Sequence, residues 1–247
     1  MRLRLPEAIS ACLFDLDGVV TRTAGLHAAA WKEAFDEFLE RRSRRTSENF
    51  VPFDQVSDYD EYVDGRPRLD GARTFTRARG IELPVGTPED PAECSTLYGI
   101  ANHKNAVVLA MMKTRGVEVY PGSRRFLEVA RRRALSTAVI SSSANARAVL
   151  EAAGLEGFFD ACVDGIVAME AHLAGKPAPD TYLEAARRLH VAPRNAAVFE
   201  DALAGVEAGR AGGFGLVVGV DRTGQRAELA AHGADVVVDD VAELIDP

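Results

Sequence analysis

Five short apolar runs, each stopped abruptly by an acid or a serine, constrain this chain more than anything else in it. Ala11–Phe14 runs into Asp15, Ala138–Ile140 into Ser141, Ala196–Phe199 into Glu200 and Asp201, Leu216–Val220 into Asp221, and Val236–Val238 into Asp239. Runs this short with polar ends read as buried strands rather than helices. Helix-like stretches separate the later ones: Ser123–Arg133, Ala144–Ala153, Pro179–His190, Ala202–Ala211 and Thr223–His232. Strand and helix in alternation predict an α/β fold, a Rossmann-like doubly wound and mainly parallel sheet, because parallel neighbours need helical crossovers. Ligands of such sheets bind beyond the carboxyl ends of the strands. Asp15, Ser141, Glu200 and Asp201 all stand at those ends and are expected to share one crevice.

The alternation is interrupted once. Between the first strand and Tyr120-Pro121-Gly122 lies an interval of roughly a hundred residues, far longer than a crossover loop. Its apolar spacing is helical over Leu26–Arg41 and Ala101–Thr114, with a weaker signal over Asp70–Arg79 and a polar, turn-rich stretch over Ser43–Gly71. The expectation is an α/β core of residues 1–21 and 118–247, with residues 22–117 forming an inserted α-helical domain.

Charge and composition narrow the function. A net charge of -8 over 247 residues disfavours a nucleic-acid footprint. No apolar run approaches the length of a membrane span. Arg2, Arg4, Pro6 and Glu7 interrupt the start where an export signal needs an apolar stretch, so a cytoplasmic location is expected. The cysteines Cys12, Cys94 and Cys162 form no C-x-x-C pair, and Cys12 and Cys162 sit in apolar runs where a buried thiol is the ordinary reading. Arg41, Arg42, Arg44 and Arg45 close a predicted helix, where cations complement the dipole and face solvent. Gly209, Gly212, Gly213 and Gly215 follow a helix and precede a strand, the reverse of a dinucleotide-binding order, and read as a helix stop and turn.

The chemistry concentrates at the strand ends. Asp15 and Asp17 are two positions apart after a buried strand, with Gly18 giving the turn backbone freedom. Alone, such a pair could merely cap loop amides. It is followed by Ser141 after a strand, Lys176-Pro177 before a helix, and Glu200-Asp201 after another strand. These four elements, in this order, resemble the motifs of the haloacid dehalogenase superfamily, most closely at Gly175-Lys176-Pro177-Ala178-Pro179-Asp180 and Phe199-Glu200-Asp201-Ala202-Leu203-Ala204-Gly205-Val206.

The resemblance implies a Mg2+-dependent phosphoryl transfer. Asp15 would be the nucleophile and be transiently phosphorylated, and Asp17 the general acid and base. Ser141 and Lys176 would hold the transferring group. The metal would be bound by the Asp15 carboxylate, the Asp17 carbonyl and Asp201, with Glu200 assisting. Members that cleave carbon–halogen or carbon–phosphorus bonds lack the second acid, so Asp17 points to phosphate esters.

A closer resemblance, to the β-phosphoglucomutase subgroup, rests on the run from Thr21 to Trp31, on Gly65-Arg66-Pro67-Arg68, on Lys104-Asn105 and on Ser141-Ser142-Ser143-Ala144-Asn145. It implies that the inserted domain is a cap and that Thr23, His27, Arg68, Lys104, Ser143 and Asn145 bind substrate. Packing against Trp31 is the plain alternative for His27, and solvation as surface cations the alternative for Arg68 and Lys104. Ala144 and Arg66-Pro67 depart from the mutase pattern. The substrate implied is a small phosphorylated sugar, taken by a monomer or weak homodimer with no nucleic-acid or membrane partner. The activity implied is that of a mutase, with a sugar-phosphate phosphatase as the first alternative and a catalytically inactive binding protein of the same fold as the second.

Overall fold

All five residues of Ala11–Asp15 are buried, and this run forms the central strand β1 of a six-stranded, wholly parallel sheet. The computed structural model describes residues 2–46 and 48–246. The other strands are β2 (Ser136–Ile140), β3 (Ala161–Val163), β4 (Ala196–Glu200), β5 (Leu216–Val220) and β6 (Val236–Val238), in the spatial order β3-β2-β1-β4-β5-β6. That order reverses at β1: the chain builds outward on one side to β3 and returns to add β4 on the other. The crevice beyond the ends of β1 and β4 is therefore the switch point at which doubly wound sheets bind ligands. Register brings Asp15 level with Ile140 and Phe14 level with Phe199, so Ser141 and Glu200 follow directly on either side.

The chain divides into two compact units, one reaching to Arg22 and resuming at Val117, the other spanning Thr23–Gly116. In the first, side chains alternate across the sheet as strands require. Leu13, Ile140 and Val198 pack under Tyr182, Ala185 and Ala186 of α7 (Asp180–Arg188) and under Val206 and Ala208 of α8 (Leu203–Ala211). Phe14 and Phe199, alternate with these along their strands, stack at 4.6 Å and meet Phe126 of α4 (Pro121–Arg132) edge-on. Both faces of the sheet are covered in this way. Burying a large side chain of this kind is worth about 1.5–3 kcal/mol, which is why the strands read as unbroken apolar runs.

The second unit is helical: α1 (Ala24–Thr46), α2 (Arg68–Ala78) and α3 (Leu97–Arg115) surround an aromatic cluster. Phe35 is its centre, stacked on Trp31 at 4.8 Å and against Phe53 and Phe75 at 5.1 and 4.2 Å. Thr96 caps α3 by accepting from the Gly99 amide at 3.0 Å, which starts the helix four residues before the expected Ala101. Within the stretch read as polar turns, Tyr59–Val63 forms a π-helical turn whose Tyr59 and Val63 are buried. Of the arginines closing α1, Arg44 and Arg45 are exposed and Arg41 and Arg42 half-buried, with Arg41 and Arg44 paired to Glu37 and Glu40 one turn earlier and Arg42 to Glu48.

Other elements also differ from the sequence expectation, among them the helix expected over Thr223–His232, which spans only Arg226–Ala231. The edge strand β3, only three residues long, lies outside the five runs, as does the short helix α6 (Gly165–Glu170) behind it. The helix expected over Ala144–Ala153 is confined to α5 (Ala146–Ala152), because Ser143 and Asn145 belong to the loop after β2. Cys12 is fully buried, which pushes its thiol up to about 12, but Cys162 is only partly buried because β3 is an edge. Among the described residues, no helix is long and apolar enough to cross a membrane.

Candidate active site

Asp15 ends β1 with its carboxylate almost wholly withdrawn from solvent. The chain turns immediately, so that the Asp17 amide donates to Asp15 Oδ2 at 2.8 Å. Gly18 carries the turn at a φ of +105°, a conformation that side chains rarely adopt, and a Cβ there would collide with the Asp201 carboxylate. Glycine is thus required twice, for the turn and for the approach of Asp201.

Lys176 precedes α7 and is buried. Its Nζ donates to Asp15 Oδ1 at 2.5 Å and to Glu200 Oε1. Burial works against the ammonium, yet Asp15 and Glu200 outweigh it and raise the lysine above its ordinary value, so it stays charged. For Asp15, burial raises the carboxyl well above the usual range. Lys176 pulls it down, and Glu200 and Asp17 push it up again. Glu200 is itself fully buried, held by Lys176, by the Tyr182 hydroxyl at 2.9 Å and by the Ala202 amide at 3.1 Å. Gly205, in the first turn of the following helix, leaves the space its carboxylate fills.

Ser141 comes off the neighbouring strand and donates to Asp17 Oδ2 at 3.0 Å. Its hydroxyl also accepts the Ser143 amide at 3.1 Å, and the Ser143 hydroxyl accepts the Asn145 amide at 3.1 Å. Asp15, Asp17, Ser141, Lys176, Glu200 and Asp201 therefore gather at the carboxyl ends of β1, β2 and β4, with Ser143 and Asn145 in the adjoining loop. Asp15, Glu200 and Asp201 offer oxygens lying within 4.8 Å of one another. Three buried carboxylates with one ammonium suit a hard divalent cation, which takes oxygen ligands and would offset the remaining negative charge.

In the helical unit, His27 and Lys104 are both buried, and Lys104 Nζ lies 2.8 Å from His27 Nδ1 and 5.3 Å from the centre of the Trp31 ring. Lys104 is thus no solvated surface cation, and His27 has a polar partner beyond aromatic packing. Thr23 is buried just before α1, and Arg68 is half-buried at the first position of α2. A cation at that end opposes the helix dipole, so helix stability does not account for Arg68.

Three residues around the site carry no sequence signal of their own. Tyr182 reads as a core position of an amphipathic helix, yet its hydroxyl reaches Glu200, and Lys176 Nζ lies 5.1 Å from the centre of its ring. Arg222 reads as a turn residue after a strand, and Gln225 as part of the helix expected over Thr223–His232. Arg222 Nε donates to the Gly18 carbonyl at 2.8 Å and Gln225 Nε2 to the Asp201 carbonyl at 3.2 Å.

Comparison with known proteins places the chain in a family. The family model described as haloacid dehalogenase-like hydrolase matches residues 9–213. The chain is 54% identical over 246 residues to a β-phosphoglucomutase of Mycobacterium bovis, covering 98% of this chain and 94% of the relative. It is 30% identical to a fructose-1-phosphate phosphatase of Escherichia coli over 85% of this chain and 96% of the other. A crystal structure of a β-phosphoglucomutase from Clostridium difficile superposes with a TM-score of 0.75, covering 96% of this chain and 93% of that one; at 24% identity it supports the fold alone.

Proposed function

This chain belongs to the haloacid dehalogenase-like hydrolase family, and we propose that it is a Mg2+-dependent β-phosphoglucomutase acting through a phosphorylated Asp15. The observation carrying the phosphoryl-transfer reading is the pair of unlike aspartates: Asp15 buried and clamped by Lys176, Asp17 half-exposed and oriented by Ser141. Two carboxylates in such different surroundings can divide the roles of nucleophile and proton carrier. The identity to a named β-phosphoglucomutase supports the choice of a sugar phosphate as substrate.

Asp15 attacks the phosphorus of the sugar phosphate, and Asp17 gives its proton to the departing sugar oxygen. An acyl phosphate now stands on Asp15. Asp17, left as the carboxylate, takes the proton from the next hydroxyl as that oxygen attacks the phosphorus. Asp15 is then released as a carboxylate. Lys176 and Ser141 donate toward the transferring group, placing charge where the transition state spreads it. Mg2+ held by Asp15, Asp201, the Asp17 carbonyl and Glu200 would supply positive charge to the phosphoryl oxygens and keep Asp15 anionic. Thr23, His27, Lys104 and Arg68 of the helical unit, with Ser143 and Asn145, are the substrate-binding groups in this reading. Arg68 suits a second phosphate because its planar fork binds phosphate bidentately.

Identity to a fructose-1-phosphate phosphatase favours a second reading, in which water replaces the second sugar hydroxyl. A coupled assay for conversion of β-glucose 1-phosphate to glucose 6-phosphate, run beside phosphate release from a panel of sugar phosphates, separates the two. Isomerisation exceeding phosphate release supports the mutase. Release from the same esters without isomerisation transfers the assignment to a phosphatase, and inertness toward every ester to a binding protein.

A further inference from the structure

Asp17 must give a proton in one half of the reaction and take one in the other, so its carboxylate needs a fixed place, yet it sits one residue before the most permissive joint in the site. Gly18, at φ +105°, can swing the Asp17–Gly18 peptide widely. Ser141 fixes the Asp17 side chain, and the Asp15 carboxylate accepts the Asp17 amide. On the other side of Asp17, the Gly18 amide donates to the Thr21 carbonyl at 2.8 Å, and the Gly18 carbonyl accepts from Arg222 Nε at 2.8 Å.

Arg222 lies more than two hundred residues from Asp17 in sequence, in the loop after β5, and the loop is built to present it. Asp221 Oδ1 accepts the Gly224 and Gln225 amides at 2.7 and 3.0 Å, closing a tight turn around Arg222. The guanidinium lies 3.7 Å from the centre of the Tyr120 ring, and its Nη1 donates to the Asp239 carbonyl at 2.7 Å. Its side chain is 15% exposed, and the nearest carboxylate oxygen, on Asp240, is 3.6 Å away. Its short hydrogen bonds go to two backbone carbonyls, which a planar fork can span and a point charge cannot. The same turn sends Gln225 to the Asp201 carbonyl.

We infer that Arg222 is a positioning residue for Asp17: through the Gly18 carbonyl it holds the turn that keeps the Asp17 carboxylate where the leaving oxygen is protonated. The inference rests on the assignment of Asp17 as general acid. It adds a residue outside the four motifs to the machinery and makes a sharp distinction between substrates. An alkyl phosphate needs the proton from Asp17, whereas 4-nitrophenyl phosphate expels a stable phenolate without it. The kcat/KM of each ester reports phosphorylation of Asp15 up to loss of the leaving group.

The test compares Arg222→Met, Arg222→Lys and Asp17→Asn with the parent enzyme on a sugar phosphate and on 4-nitrophenyl phosphate, with Mg2+ present. Misplacing a catalytic group by about 1 Å costs on the order of 10²-fold. Arg222→Met should therefore lose at least about tenfold in kcat/KM on the sugar phosphate and several times less on the nitrophenyl ester. Arg222→Lys, which keeps the charge but not the fork, should show the same bias and serves where the methionine variant does not fold. Equal losses on both esters in the Arg222 variants, beside a biased loss in Asp17→Asn, overturn the inference and leave the role of Asp17 intact. Unbiased loss in Asp17→Asn overturns that role and the inference with it.

Discussion

Ser141 and Asp17, 124 residues apart in the chain, meet through one hydrogen bond of 3.0 Å. The contact joins the loops leaving two adjacent strands, which the register of β1 with β2 sets side by side. It also orients the Asp17 carboxylate, the proton carrier of the proposed mechanism, without engaging Asp15.

Ser141→Ala should accordingly lower kcat by about 10- to 100-fold, the range that follows when a catalytic group is poorly placed. The parallel sheet needs nothing from the hydroxyl, so the fold should persist. Steady-state kinetics beside circular dichroism check this, and a fully active alanine variant would remove Ser141 from the mechanism.

Among the described residues, Lys176 is the one ammonium that pairs with both Asp15 and Glu200, and all three are buried. Removing one partner of a buried ion pair costs about 3–5 kcal/mol, because the remaining charge is left uncompensated. Lys176→Met should thus be strongly destabilised in chelator and recover more stability on adding Mg2+ than the parent does. The pH dependence has a definite sign. Burial already raises Asp15 in the folded state, and loss of Lys176 raises it further. The folded variant therefore binds more protons than the unfolded chain, and its stability falls as pH rises through the ordinary carboxylate range toward the raised value. Urea unfolding across pH, with and without Mg2+, measures both effects. A variant whose Mg2+ and pH responses match the parent's would contradict a shared charge balance among lysine, carboxylates and metal.

Much of this centre is legible in the sequence because strand ends announce it. Asp15, Ser141 and the Glu200-Asp201 pair each stop an apolar run, and parallel pairing leaves them on one edge whatever the loops do. Tyr182 was not legible: its helical spacing marks it as core, and only the packing of α7 across β1, β2 and β3 brings its hydroxyl to Glu200. Arg222 was hidden for the opposite reason, since a turn residue has no periodicity to betray which backbone it touches, and Gln225 because the helix expected from Thr223 starts only at Arg226. The strand β3 was visible only as the apolar run around Cys162, because three residues are too few to establish a period, and the buried π-helical turn at Tyr59–Val63 was hidden because its neighbours are acidic and polar.

Arg68 distinguishes a mutase from a general phosphatase. Loss of a charge-assisted hydrogen bond costs about 1.5–3 kcal/mol, or roughly 10- to 100-fold. If Arg68 holds a second phosphate, Arg68→Ala should lose that much in the turnover of a bisphosphorylated sugar, or in its priming of isomerisation. Hydrolysis of a small monophosphate ester should change far less. Equal losses on both substrates would count for the hydrolase reading.

In the proposed mechanism the phosphoryl group passes through Asp15. Asp17→Asn can accept a phosphoryl group from an activated donor such as 4-nitrophenyl phosphate but lacks the base that releases it, so the adduct should accumulate. Peptide mass spectrometry of this variant, quenched in acid after mixing with Mg2+ and the donor, should find the phosphoryl group on Asp15, and Asp15→Asn introduced into the same chain should abolish it. An adduct on another residue, or none at all from a protein whose unmutated form turns over, would contradict the mechanism.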